Sequence, residues 1–142
     1  MGVVVGILPW NFPFFLIARK VAPALIAGNT IVIKPSEETS NNAHIFAKII
    51  NELDLPKGLI NVVYGKGETV GKHLSAHTDI DMISFTGSVE AGSLIMQEAG
   101  KNITKVNLEL GGKAPAIVLA DADIDKAVNK IKNACKKSLF WF

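Results

Sequence analysis

The 142-residue chain has almost nothing to hold it covalently, since its one cysteine, Cys135, excludes an internal disulfide and suits a reducing, cytoplasmic compartment. Charge of one sign is also scarce. Fifteen basic against thirteen acidic residues leave a net charge of +2, and basic clusters interleaved with aromatics, the signature of nucleic-acid binding, are missing. The lysines that do gather (Lys126, Lys130, Lys132, Lys136, Lys137) have the spacing of a solvated helix face. Long apolar runs are absent too. The uncharged opening stretch is broken by Pro9, Asn11 and Pro13, and reaches Arg19 and Lys20 before the roughly 20 apolar residues of a membrane span. It has no basic n-region of a signal peptide either. The expectation is a soluble, cytoplasmic chain with no nucleic-acid or membrane partner.

What is present is an alternation. Five β-branched runs, "GVVVGIL", "NTIVIK", "LINVVY", "DMISFT" and "KVNLEL", are each bounded by Gly, Pro, Asn or Asp and read as strands. Helical periodicity fills the gaps over 14–27, 41–53, 69–75 and 88–99. In the second, Ala43, Phe46, Ala47, Ile50 and Leu53 form one stripe, with Thr39 and Ser40 as cap candidates and Pro56-Lys57-Gly58 at the exit. Repeated βαβ units predict an α/β fold, an open, Rossmann-like parallel sheet with helices on both faces and strands buried on both sides. After "LELGGK" the rhythm changes to a short "APAIVL" strand and a helix with Asp in its first turn and Lys in its last. The buried-strand character of "GVVVGIL" directly after Met1 gives the chain the look of one that starts inside a fold.

Ligands of open parallel sheets bind beyond the carboxyl ends of the strands. The turns there are Pro9-Trp10-Asn11-Phe12-Pro13, Lys34-Pro35-Ser36-Glu37, Gly65-Lys66-Gly67, Thr86-Gly87-Ser88 and Glu109-Leu110-Gly111-Gly112, all expected on one rim.

Four of these stretches, "PWNFP", "GNTIVIKPSE", "FTGSVEAG" and "LELGGKAP", in this order and spacing, resemble the NAD(P)-dependent aldehyde dehydrogenase superfamily. The wording is most similar to its lactaldehyde/glycolaldehyde-type members, and the likeness runs from Met1 to about Lys132. It implies a cofactor domain at 1–110, incomplete at its N-terminus, and the first strand and helix of a catalytic domain at 111–142. It also implies NAD, with NADP as the alternative, an aldehyde as substrate, and homo-oligomers in intact members. Cofactor contacts are implied at Leu8, Pro9, Trp10, Lys34, Ser36, Glu37, Gly67, Gly71, Phe85, Thr86, Gly87, Ser88, Leu110 and Gly111, and catalytic roles at Asn11 and Glu109.

The residue types suit those roles. The neutral amide of Asn11, framed by two prolines, can stabilise the oxyanion formed when a thiolate adds to an aldehyde, without itself titrating. A structural Asn capping the following helix is the other reading. Lys34 and Glu37 can take ribose hydroxyls, and Glu37 would repel a 2′-phosphate, which favours NAD. A solvated Lys–Glu pair is the alternative there. Gly87 and Ser88 open a helix N-terminus suited to a pyrophosphate. Gly65, Gly67 and Gly71 follow another strand, on the implied adenine side. Glu109 is the implied general base, which shielding by apolar neighbours would favour, and Gly111-Gly112 leaves room for the nicotinamide.

The implied cycle also needs a cysteine nucleophile, which the family sets in an Asn-x-Gly-Gln-x-Cys-like loop. That loop is not in this sequence, where "NACKKSLFWF" stands instead, and Cys135 reads as an ordinary helix residue. The expectation is a fragment without dehydrogenase turnover, with a frameshift or early stop as one explanation. A non-catalytic nucleotide-binding module or a pseudogene remnant is the rival. Two smaller motifs read as structural. His73 and His77 have metal-compatible spacing but no third ligand. Asp121, Asp123 and Asp125 resemble a calcium loop, but Lys126 and Lys132 stand where that loop needs Gly and Glu, so helix capping explains the aspartates better.

Overall fold

The computed structural model describes residues 2–112 and 115–138, with side chains described as far as residue 134. Five strands, β1 (Val3–Ile7), β2 (Thr30–Lys34), β3 (Ile60–Val62), β4 (Met82–Gly87) and β5 (Lys105–Leu110), form one sheet in the order β3-β2-β1-β4-β5. Every pairing is parallel, with Ile7 opposite both Lys34 and Phe85, and Thr86 opposite Glu109. Helices α1 (Pro13–Ile26), α2 (Ser40–Asn51), α3 (Lys72–Ala76) and α4 (Val89–Gly100) fill the connections. The chain divides into two compact units, Met1–Leu110 and Gly111–Phe142.

Alternation along the strands feeds two cores. On one face Val4, Leu8, Ile31 and Ile33 meet Leu16, Ile17, Val21 and Ala24 of α1 and Ala43 of α2. On the other, Val5, Ile7, Ile83 and Phe85 meet Ile95 and Ala99 of α4, with Leu74 of α3 alongside. The apolar runs read as strands because both faces of β1 and β2 are covered. β5 departs from that expectation. Val106, Leu108 and Leu110 pack inward, while Lys105, Asn107 and Glu109 are exposed, the pattern of a strand buried on one face.

Local chemistry moves several boundaries. Ser36, not Thr39, supplies the hydroxyl cap before α2. Its Oγ accepts from the Glu38 N–H at 3.3 Å and opens a tight turn over Glu37–Thr39. Ser40 is the first residue of α2, and its hydroxyl donates back to the carbonyls of Ser36 and Glu37. Thr39 Oγ1 is buried and has no hydrogen-bond partner among the described residues. The helical stretch expected at 69–75 is a wide turn over Gly67–Gly71 running into α3. Helix α4 ends in a reversal in which the Thr104 N–H reaches the Ala99 carbonyl, with Ile103 left-handed at φ 58°.

The second unit contains α5 (Ile124–Ser138), started by Asp123, whose Oδ1 accepts from the Lys126 N–H at 3.1 Å. Helix capping thus accounts for that aspartate. The strand expected at 114–119 does not form in its described part: 115–119 is irregular and exposed, and 114 lies outside the described residues. Met1, Lys113, the Cys135 side chain and the 139–142 tail are likewise outside them.

Candidate functional site

Because all four ladders are parallel, the carboxyl ends of the five strands share one rim. The order of the strands then singles out one place on it. From β1 the chain crosses outward to β2 and β3, returns to the far side of β1 as β4, and moves outward again to β5. The direction reverses between β1 and β4, and open α/β sheets leave a crevice at such a point. The loop 8–12 and the turn 86–88 border it.

The first of these loops is locally rigid. The Leu8 N–H donates to the Lys34 carbonyl at 3.0 Å, extending the β1–β2 ladder and burying Leu8. Pro9 is half-buried and Trp10 exposed. The N-cap of α1 falls on Phe12, in the left-handed region at φ 48°, and Pro13 follows at the first helical position. Asn11 is half-buried between these fixed points.

Lys34 is 3% exposed, and its Nζ donates to the Pro35 carbonyl at 3.1 Å and to Glu37 Oε2 at 3.3 Å. Its own backbone N–H foremost, and then the ammonium of Lys34, hold the Glu37 carboxyl below the usual range, against the opposing effect of burial. The Lys34–Glu37 pair is therefore built in, with the carboxylate side half exposed and the ammonium enclosed.

At β4, Ser88 caps α4, its Oγ accepting from the Ala91 N–H at 3.1 Å. A hydroxyl that accepts there still has its proton to donate outward. A Cβ on Gly87 would collide with the ring of Phe85, and one on Gly92 would come within 2.6 Å of Leu110 Cδ2. The side chains of Phe85 and Leu110 belong to the core that seats α4, and the rim is left to the backbone around them. Thr86 and Gly111 are half-buried. A largely apolar cavity of about 560 Å³ lies between the 67–75 segment and α4, bordered by Gly67, Gly71, Ser75, Ser88, Leu94 and Ile95. Glu109 is the penultimate residue of β5 and is exposed, so the apolar shielding expected around it is not supplied by the described residues. β1, which leads into Asn11, and β5, which carries Glu109, are two strand spacings apart, about 10 Å across the sheet.

One charged residue was not singled out from the sequence. Lys20 lies on the buried stripe of α1 with Leu16, Ile17, Val21 and Ala24, and its Nζ donates to Ser84 Oγ at 2.9 Å. Burial brings its ammonium down from 10.5 to about 8; Glu109 pulls it back up and Arg19 pushes it further down. A lysine at a core position of an amphipathic helix, facing a glycine in the preceding strand (Gly6), was the available signal. His73 and His77 pack edge to face at 5.5 Å, and His77 Nδ1 accepts from the Asp79 N–H. Among the described residues no group of three or more potential ligands could hold a metal.

The sequence matches the model of the aldehyde dehydrogenase family over residues 1–138. The chain belongs to this family. It is 66% identical over 131 residues to lactaldehyde dehydrogenase of Escherichia coli, covering 92% of this chain and 27% of that protein. A crystal structure of the Escherichia coli enzyme superposes with a TM-score of 0.82 over 92% of this chain and 27% of that one. A Pseudomonas syringae aldehyde dehydrogenase mutant in complex with NAD+ and octanal is 49% identical, with a TM-score of 0.81 over 91% of this chain and 27% of that one. This aldehyde dehydrogenase chain therefore spans about a quarter of the length of such relatives, and its fold is that of their corresponding α/β segment.

Proposed function

We propose that residues 1–110 are the nucleotide-binding part of an NAD-dependent aldehyde dehydrogenase, and that residues 111–142 begin its catalytic domain. The observation that carries this reading is the crevice between β1 and β4, with Asn11 on one lip and the capped start of α4 on the other. The residues present fit the dinucleotide. Lys34 and Glu37, already paired, take the adenosine ribose hydroxyls, with Ser36 holding their turn. The apolar cavity beside Gly67 and Gly71 accepts the adenine. The N–H groups after Ser88 and its outward hydroxyl proton receive the pyrophosphate at a helix of 12 residues. The backbone around Leu8, Pro9, Trp10, Phe85, Thr86, Gly87, Leu110 and Gly111 borders the nicotinamide end. NAD supplies the two-electron oxidant when bound. Glu37 favours NAD over NADP because its carboxylate would face a 2′-phosphate.

In the whole protein, Asn11 donates its amide N–H to the oxygen of the bound aldehyde as negative charge develops there. Glu109 takes the proton of the water that releases the acid product. Relatives named for lactaldehyde and the octanal complex support an aldehyde substrate, and the small lactaldehyde/glycolaldehyde class is the one we assign. The sole cysteine stands in α5, and the family's nucleophile loop is not in this sequence. The 142-residue chain therefore binds nucleotide without turning over aldehyde. We read it as a cytoplasmic protein whose whole form is a homo-oligomer. Titration calorimetry with NAD tests the reading. Binding at micromolar concentrations, weakened at least tenfold in Lys34→Met, is expected, while absence of binding by a folded chain favours a non-functional remnant. NADH formation from glycolaldehyde by this chain would overturn the inactivity.

A further inference from the structure

The adenosine end of the proposed nucleotide site carries a second cation. In the β2–β3 ladder Ile33 stands opposite Val62, and the Val63 N–H still reaches the Ile33 carbonyl at 2.9 Å, so the two strands leave the sheet side by side. Glu37 and Lys66 each stand four residues beyond that last pair, on neighbouring loops of one rim. Lys66 opens the wide turn over Gly67–Gly71, and its carbonyl accepts from the N–H groups of Thr69, Val70 and Gly71 at 3.0–3.3 Å. The next two residues, Gly67 and Glu68, border the apolar cavity assigned to the adenine. Lys66 therefore stands between the ribose pair and the adenine cavity, with its main chain fixed and its side chain exposed. Its charge reaches Glu37, whose carboxyl it helps Lys34 to hold below the usual range. Lys34 itself is enclosed and already donates to the Pro35 carbonyl and to Glu37. Lys66 is the cation of the two that can turn towards a ligand.

Resting on the nucleotide-binding reading above, we propose that Lys66 is a specificity residue of the ribose site, which receives the 2′-phosphate of NADP and lets this chain bind NADP as well as NAD. A phosphate close to the dianionic form outbids a single carboxylate for a nearby ammonium. Lysine suits the task because its charge sits on a flexible stem and needs no fixed bidentate geometry. With NAD bound there is no phosphate to receive, and Glu37 keeps Lys34 as its partner whether or not Lys66 is present. Lys66 thus acts on the ratio of two affinities and not on nucleotide binding as a whole. The exposed carboxylates of Glu37, Glu38 and Glu68 belong to the same two loops, so NAD stays the preferred nucleotide and Lys66 limits the margin.

The test is calorimetry on the 142-residue chain at pH 7.5 with NAD and NADP, and with AMP and adenosine 2′,5′-bisphosphate as their adenosine halves. The hydrogen bonds that fix the 66–71 turn to Lys66 are accepted by its main chain, so Lys66→Met keeps the turn. That variant should bind NADP and the bisphosphate at least about fivefold more weakly, with NAD and AMP changed less than about twofold. Lys66→Arg should restore the ratio. Raising salt from about 50 to 300 mM should weaken NADP more in the wild-type chain than in Lys66→Met. Lys57→Met, at the opposite end of β3, should leave the ratio alone. An unchanged NADP-to-NAD ratio in Lys66→Met overturns the proposal, as does a wild-type chain that binds NAD but no NADP at millimolar concentrations. A folded chain that binds neither NAD nor AMP would instead remove the nucleotide site itself, and Lys66's role with it.

Discussion

Lys20 Nζ and Ser84 Oγ lie 2.9 Å apart, a hydrogen bond that ties α1 to β4 across the intervening edge of β1. It exists because of a third position. Gly6 has no side chain where the lysine stem crosses the sheet, so a charged residue can occupy the core stripe of α1 and still end at a polar partner.

Gly6→Ala tests that arrangement. Its Cβ would lie 2.8 Å from Ile33 Cδ1 as well as against the lysine stem, so both neighbours must give way. The expected cost is about 1–3 kcal/mol, read as a lower urea midpoint with an unchanged slope. The lysine signal in NMR should shift in the same variant.

The pH dependence follows from the same residue. Its pKa falls from 10.5 unfolded to about 8 folded, so between those values the unfolded chain binds the extra proton. The burial penalty is in full force below pH 8, and stability rises as pH climbs from about 8 towards 10.5. Urea unfolding across this range should show the rise in the wild-type chain and lose it in Lys20→Met. A wild-type profile no steeper than that of the variant would contradict the burial of the ammonium.

Glu37 provides a specificity test. Its carboxylate is held charged beside Lys34. Glu37→Gln should weaken NAD binding by about 1.5–3 kcal/mol, the scale of a hydrogen bond to a charged group, and improve NADP relative to NAD. Calorimetry with both nucleotides measures the ratio, and an unchanged ratio would remove Glu37 from the ribose site.

Ile103 is a β-branched residue at φ 58° and is 91% exposed. Such a residue is strained in the left-handed region that glycine adopts freely. Ile103→Gly should stabilise the chain by about 0.5–1 kcal/mol, seen as a higher Tm with nucleotide affinity unchanged.

Asp123→Ala should remove the cap of α5 at a cost of about 1 kcal/mol to that helix. The checking measurement is the helical circular dichroism, which should drop by a few residues' worth.

The five strands and the shared rim were legible because β-branched runs bounded by turn residues leave the chain few other ways to bury them. The identity of the rim residues was legible for a different reason. Motifs such as "PWNFP" and "FTGSVEAG" combine residue types that structure alone would not require. The misreadings share a cause. "APAIVL" has a strand's composition, yet 115–119 joins no ladder among the described residues, and a strand without a ladder has no hydrogen bonds to hold it. Thr39 looked like a cap, but the chain turns three residues earlier, at Ser36. The shielding expected around Glu109 depends on what covers β5, which local pattern does not encode.

By itself, then, the order of residues determined the alternating elements, their parallel sense and the family, because backbone propensity and apolar periodicity are local properties. Only the tertiary structure decided that the sheet reverses between β1 and β4, that Lys20 reaches Ser84 over Gly6, and that β5 keeps one open face. Those facts come from contacts between residues distant in sequence. The burial of an amine or a carboxylate, and hence its charge, is set there.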